Sequence, residues 1–190
     1  GAPGMSDGWR ELESEVLVAT PWLRVIREVV ATPTRPAGVE WTVVRRKQAA
    51  VVAPRTPAGD FLLVRQERVP VREEFWEFPA GQVDDHATPA AIAETAHREL
   101  GEEAGCRVGG ELIPLGSYFS SVGFTDEQAH LFLATDVVPR DGGHSHDDGE
   151  AIVECRAFSP DELRARIASG EIRDANTLSL FARLVATGHL

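Results

Sequence analysis

The stretch Arg98-Glu99-Leu100-Gly101-Glu102-Glu103-Ala104-Gly105 constrains this chain more than any other. Upstream, Thr88-Pro89 supplies an N-cap followed by proline at the first helical position, an unbroken helix-forming run follows, and Gly105 suits the left-handed residue that closes a helix. The spacing therefore predicts a helix from Thr88 to Gly105. On it Glu99, Glu102 and Glu103 stand at i, i+3 and i+4 and share a face. At about 100° per residue, Glu103 falls about 60° from Leu100, inside the stripe of Ile92, Ala93, Ala96 and Ala104; Glu99 lies about 100° away and Glu102 about 160°. An ordinary run of glutamates is a solvated face. Here a carboxylate on the packing side loses solvation, and like charges one turn apart repel by roughly 0.2–0.5 kcal/mol a pair. A hard divalent cation would remove both penalties, because oxygen-rich sites suit Mg²⁺ or Mn²⁺, and Mg²⁺ takes few carboxylates and fills its shell with phosphate and water.

The rest of the chain supplies a frame for that helix. Its 190 residues are enough for one compact domain with a real core, and no internal repeat or long linker divides them. Runs rich in Val, Ile, Thr and Trp, separated by turn signals at 32–38 and 54–60, predict strands near 22–31, 40–46, 48–54 and 61–68. Further strands are expected near 112–119, 128–137 and 151–158, with the polar stretch 140–149 as a loop. Ser159-Pro160-Asp161-Glu162 opens a short helix ending near Gly170, and Asp174 caps a last helix through Leu178, Leu180, Phe181 and Leu184.

Charge and composition narrow the function. A net charge of -11 opposes non-specific attraction to nucleic acid or to anionic membranes, so an anionic ligand needs a local device such as a cation. No apolar run reaches membrane-spanning length and no signal-peptide pattern opens the chain, so a cytoplasmic protein is expected. Cys106 and Cys155 are the two cysteines, without metal-binding spacing, and reduced thiols are the default. His144 and His146 lack an organised third ligand and read as a solvated tip. Residues 1–4, before Met5, read as a tag remnant.

Taken with the lead-in Trp76-Glu77-Phe78-Pro79-Ala80-Gly81, the segment from Gly81 to Cys106 resembles the Nudix box, the loop-helix-loop signature of hydrolases acting on nucleoside diphosphates linked to another moiety. Arg98, Glu99, Leu100, Glu102, Glu103 and Gly105 match the second half of the pattern residue for residue. The first half departs: Gly81 lies three residues too far from Arg98, and the expected glutamate is Ala87 or Ala90 depending on the end counted from. Cys106 replaces the terminal aliphatic residue and reads as structural.

The resemblance runs from about Trp22 to the C-terminus and is nearest to the ADP-ribose and nucleotide-sugar pyrophosphatases. It implies an α/β (α+β) fold, a mixed sheet between helices. Residues 5–47 would form an N-terminal β-hairpin arm that pairs two subunits, and 48–190 the hydrolase domain. It implies metal ligation by Glu99, Glu102 and Glu103 with the backbone carbonyl of Ala80, and substrate contacts from Trp41, Arg46, Arg68 and Glu77. Trp41 matches a tryptophan that stacks on the base; by burial statistics alone a strand tryptophan belongs to the core. Glu150 matches a loop glutamate that accepts a proton from the attacking water, with Glu154 as the nearby rival. Val122 stands where ADP-ribose hydrolases of this branch commonly carry proline. The expected reaction is Mg²⁺-dependent hydrolysis of ADP-ribose or another nucleotide sugar to a nucleoside monophosphate and a sugar phosphate. A different nucleotide (GDP-mannose, a dinucleoside polyphosphate, a coenzyme) and a non-catalytic nucleotide sensor are the alternatives.

Overall fold

The computed structural model describes residues 8–84, 86–143 and 151–190. Its backbone divides into two compact units, one formed by the chain up to Lys47 with Phe119–Glu127, the other by Gln48–Tyr118 and Gln128–Leu190. The tag reading of residues 1–4 lies outside the described residues.

The first unit is an antiparallel sheet of β1 (Arg10–Ala19), β2 (Leu23–Thr32) and β3 (Arg35–Arg46), in that order. The register pairs Ile26 with Val43 and Glu28 with Trp41. The segment 119–127 is stitched to β3: Val44 N–H donates to Phe124 O at 2.8 Å, and Thr125 Oγ1 donates to Val44 O at 2.7 Å. Strand β1 was not anticipated. Its ten residues are all exposed, so its Arg-Glu-Leu-Glu-Ser-Glu-Val-Leu-Val-Ala sequence carries no buried face to read; only pairing with β2 makes it a strand.

In the second unit β4 (Ala49–Pro54) is followed by β5 (Phe61–Arg68), β6 (Glu73–Glu77), β7 (Ala80–Gln82), α1 (Pro89–Ala104), β8 (Cys106–Arg107) and β9 (Leu112–Phe119). Then come β10 (Gln128–Ala134), β11 (Val138–Pro139), β12 (Ile152–Phe158), α2 (Pro160–Ala168) and α3 (Ala175–Ala186). Among the described residues the sheets run β7-β4-β10-β9, β12-β5-β6 and β11-β8. The central β4–β10 pair is parallel, while β7 joins β4 antiparallel.

β4 explains the layering. A strand buried on both faces reads as a continuous apolar run, and Ala49-Ala50-Val51-Val52-Ala53-Pro54 is one. Val51 and Ala53 pack with Phe61, Leu63, Leu131, Leu133, Leu163, Leu180 and Leu184, placing α2 and α3 on one side. Ala50 and Val52 pack with Ile92, Ala96, Leu100, Ala104 and Phe132, placing α1 on the other. The expected mixed sheet between helices is thus observed, and α1 keeps the expected ends: Thr88 accepts from the Ala91 N–H, and Gly105 sits at φ 61°.

β7 approaches α1 so closely that only glycine fits. A Cβ on Gly81 would lie 1.7 Å from Glu99 Oε1 and 2.1 Å from its Cδ. Glu99 is itself buried, so accommodating the methyl forces the carboxylate out of its place. Gly81→Ala should lower stability by about 1–3 kcal/mol in chemical denaturation. Gly123→Ala, whose added carbon meets nothing within 4 Å, should stay within about 0.5 kcal/mol of the parent.

Candidate active site

Helix α1 presents its glutamates as the angular reading anticipates. Glu103 is 1% exposed and Glu99 2%, while the Glu102 side chain keeps 23% of its surface. Glu103 Oε2 accepts the Ala80 N–H at 2.9 Å, tying the helix to the first residue of β7. Arg98 bridges the other two, with Nη2 2.6 Å from Glu99 Oε1 and Nη1 2.7 Å from Glu102 Oε2. Burial opposes the charge of Arg98, but Glu99, Glu102 and, from the loop before the helix, Asp84 together hold its pKa above the ordinary arginine value.

The donor chemistry suits a hard cation: three carboxylates and the neighbouring Ala80 carbonyl, all oxygen. At Gly81 the backbone of β7 comes close to Glu99 Oε1, the oxygen that also meets Arg98. In the geometry as it stands, no three His, Cys, Asp or Glu side chains among the described residues converge as metal ligands. Arg98 provides the positive charge between Glu99 and Glu102 instead.

Arg68 and Glu77 lie in the same unit on adjacent strands. Arg68 Nε donates to Glu77 Oε1 at 2.8 Å and its Nη2 to Oε2, a bidentate pair around a carboxylate that is 2% exposed. Burial raises the Glu77 pKa, Arg68 pulls it down and Asp174 raises it, leaving a net upward shift. Because both carboxylate oxygens face Arg68, Glu77 acts on its surroundings through that guanidinium. The fields of Asp174 and Glu103 also reach Arg68.

A support missed by sequence reasoning comes from α3. Asp174 Oδ2 caps the helix by accepting from Thr177 N and Oγ1, and Thr177 Oγ1 accepts the Phe78 N–H at 3.0 Å. One helix cap therefore also fixes the Glu77-to-Ala80 segment. The sequence marks Asp174 as a cap; nothing in it signals that Thr177 meets Phe78, 99 positions away.

Trp41 and Arg46 belong to the other unit. Trp41 is 52% exposed and donates Nε1–H to Gly123 O at 2.8 Å, so its ring is not core. It lines a cleft of about 840 Å³ with Trp9, Val30 and the fully displayed Val122, near Arg45 and the buried Glu28. Arg46 Nη1 lies 2.9 Å from Glu127 Oε1.

Of the two base candidates, Glu150 lies outside the described residues, as do His144 and His146. Glu154 is engaged: its Oε2 is 3.2 Å from Arg65 Nη2, on the face of β5 that carries Phe61 and Leu63 toward α2 and α3. Cys106 is buried, with Sγ 3.8 Å from Leu100 O, and burial pushes its thiol up to about 12, in keeping with a structural role. No helix of the described residues is long and apolar enough to cross a membrane.

Comparison with known proteins places this geometry. The NUDIX domain model matches residues 44–181. The chain is 30% identical over 135 residues to the ADP-ribose pyrophosphatase of Bacillus subtilis (strain 168), covering 71% of this chain and 70% of that protein. It is 31% identical over 136 residues to the methanol dehydrogenase activator of Bacillus methanolicus, covering 72% and 71%. A crystal structure of an ADP compounds hydrolase superposes with a TM-score of 0.75 at 17% identity, over 99% of this chain and 100% of that one, a likeness of fold. With the buried carboxylate helix inside the matched range, the chain belongs to the Nudix family and is a Nudix hydrolase.

Proposed function

We propose that the protein hydrolyses the diphosphate of ADP-ribose or a related nucleotide sugar, giving a nucleoside monophosphate and a sugar phosphate, as a cytoplasmic homodimer dependent on Mg²⁺ or Mn²⁺. The observation that carries this reading is the pair of buried carboxylates, Glu99 and Glu103, held against the backbone of β7 in a Nudix hydrolase. The name of the Bacillus subtilis relative supports the choice of ADP-ribose.

Glu99, Glu102 and Glu103, with the Ala80 carbonyl, would hold the cation. Bound there, it supplies neutralisation of diphosphate charge and a lowered pKa for water. The chain's own groups do the remaining work. Arg98 balances the carboxylates when the cation is away and must yield Glu99 and Glu102 to admit it. Arg68, fixed by Glu77, donates to the substrate, and Trp41, with its exposed ring, stacks on the base. Glu150 accepts the proton of the attacking water, a task open to a carboxylate that is not itself a metal ligand. The engagement of Glu154 by Arg65 favours Glu150 for this role.

The arm supports pairing. Strand β1 exposes Val16, Leu17 and Val18, and Trp22 just beyond it is 70% exposed, an apolar surface that a second subunit would cover.

Three outcomes are expected. In a turnover assay on ADP-ribose with product identification, Glu103→Gln should fold normally and lose about a hundredfold or more in Mg²⁺-supported kcat, since changes even in residues behind metal ligands cost 10–100-fold; parent-like turnover would remove Glu103 from the mechanism. Glu150→Gln should lower kcat by about 10²- to 10⁴-fold with nucleotide affinity kept, and Glu154→Gln should do much less; a reversal would make Glu154 the base. Sedimentation should give a dimer at micromolar concentration that the Val16→Glu/Val18→Glu variant weakens, whereas a parent monomer would refute the paired arm.

A further inference from the structure

The face of the β1-β2-β3 sheet that carries Trp41 is apolar except at one place. Strands β2 and β3 pair Ile26 with Val43, Glu28 with Trp41 and Val30 with Val39, and directly opposed residues share a face. Among these aliphatic side chains stands Glu28, which is only 5% exposed. Arg45, two residues beyond Val43 and on the same face, meets Glu28 Oε1 through Nη2 and Asp126 Oδ2 through Nη1 at 3.1 Å. A buried ion pair adds little stability over well-packed apolar side chains, so packing does not account for a glutamate in this row.

Glu28 and Arg45 both line the cleft of about 840 Å³ in which Trp41 shows its ring, and the lining residues all belong to the first unit. Arg10, Glu11 and Arg35 line it too, but they are exposed. Glu28 and Arg45 are held by each other and by Asp126. The cleft therefore joins an exposed aromatic ring to one charged pair of fixed geometry, the combination of apolar wall and few placed polar groups that suits a small planar ligand.

The register sets what such a ligand meets. Directly opposed residues of an antiparallel pair hold their Cβ atoms about 4.5–5.5 Å apart, so a base stacked on Trp41 comes within reach of Glu28. The valines offer its edge no hydrogen bond; the charged pair does. A carboxylate only accepts and a guanidinium only donates. With Oε1 on Arg45, Glu28 keeps lone pairs to accept an N–H of the ligand, and Arg45 keeps its Nε–H to donate to a neighbouring lone pair. An amino group beside a ring nitrogen supplies both partners, as adenine does with its 6-amino group and N7.

We propose that Glu28 is a specificity-determining residue of the nucleotide site: its carboxylate accepts from the amino group of an aminopurine stacked on Trp41, while Arg45 donates to the adjacent ring nitrogen. The inference rests on the reading given under Proposed function, in which Trp41 stacks on the base, and names the group that tells one base from another.

Glu28→Gln keeps the shape of the side chain. Its carbonyl can hold Arg45, which turns the amide NH₂, a donor, toward the amino group of the base. KM for ADP-ribose should rise about tenfold or more, as for a lost hydrogen bond to a charged group, with kcat within about twofold. An ADP-ribose analogue that carries purine without the 6-amino group separates recognition from damage to the fold. The parent should show about tenfold lower kcat/KM on this analogue than on ADP-ribose. Glu28→Gln should show no such preference and should handle the analogue as the parent does. Glu28→Asp, which withdraws the carboxylate by one methylene and keeps its charge, should lose the same preference and serves if the glutamine variant folds poorly. The assignment of Glu28 is overturned if the parent does not distinguish the two substrates, if the variant keeps the parent's preference, or if the variant loses equally on both. If the parent neither binds nor hydrolyses ADP-ribose, the reading of the site falls and takes this assignment with it.

Discussion

The hydrogen bond from Ala80 N–H to Glu103 Oε2 holds the carboxylate face of α1 to β7. A carboxylate with 1% of its surface exposed needs compensation for lost hydration, and a backbone donor from β7 supplies part of it. That donor is available only because β7 lies against α1, and β7 lies there because Gly81, the next residue, has no Cβ to strike Glu99. Pairing of Ala80 with Val51 then ties this contact to β4, the strand buried on both faces. Helix, glycine and central strand form one unit of cause: disturb the glycine and the two buried carboxylates lose their common frame.

The same chain of contacts explains what the sequence made legible. The helix was readable from end to end because Thr88, Pro89 and Gly105 act locally and because helical periodicity placed Glu103 among alanines and Leu100. β4 and β5 were readable because their apolar runs are bounded by turn residues. β1 was not, since a strand without a buried face leaves no hydrophobic pattern, and its existence depends on hydrogen bonds to β2. The very short β7, β8 and β11 likewise exist through pairing with distant strands rather than through any propensity of their two or three residues.

Within the site, residue types could be read but their partners could not. Arg68 is expected as a substrate contact, yet its bidentate grip on Glu77 is not signalled even by strand pairing, since the β5–β6 register sets Arg68 opposite Glu73 and Glu77 opposite Val64. Arg98 was expected from the motif, whereas its bridging of Glu99 and Glu102 is visible only in three dimensions. These gaps share a cause: a motif specifies which side chains a helix or strand presents, and only their conformations in the folded chain specify which of them meet.

The charge distribution carries the argument to substrate binding. On the proposed reading, a chain with a net charge of -11 still has to accept an anionic diphosphate, and several of its arginines are already paired. Arg68 faces Glu77, Arg98 faces Glu99 and Glu102, Arg65 faces Glu74 and Glu154, and Arg173 faces Glu73. Each such pair fixes geometry while cancelling its own long-range field, so the arginines position and donate hydrogen bonds more than they attract. On that reading attraction would depend on a cation matched to Glu99, Glu102 and Glu103, and selectivity on neutralised groups such as the Arg68–Glu77 pair. Separating attraction from recognition in this way would let an acidic protein bind a dianionic nucleotide without becoming a general binder of polyanions.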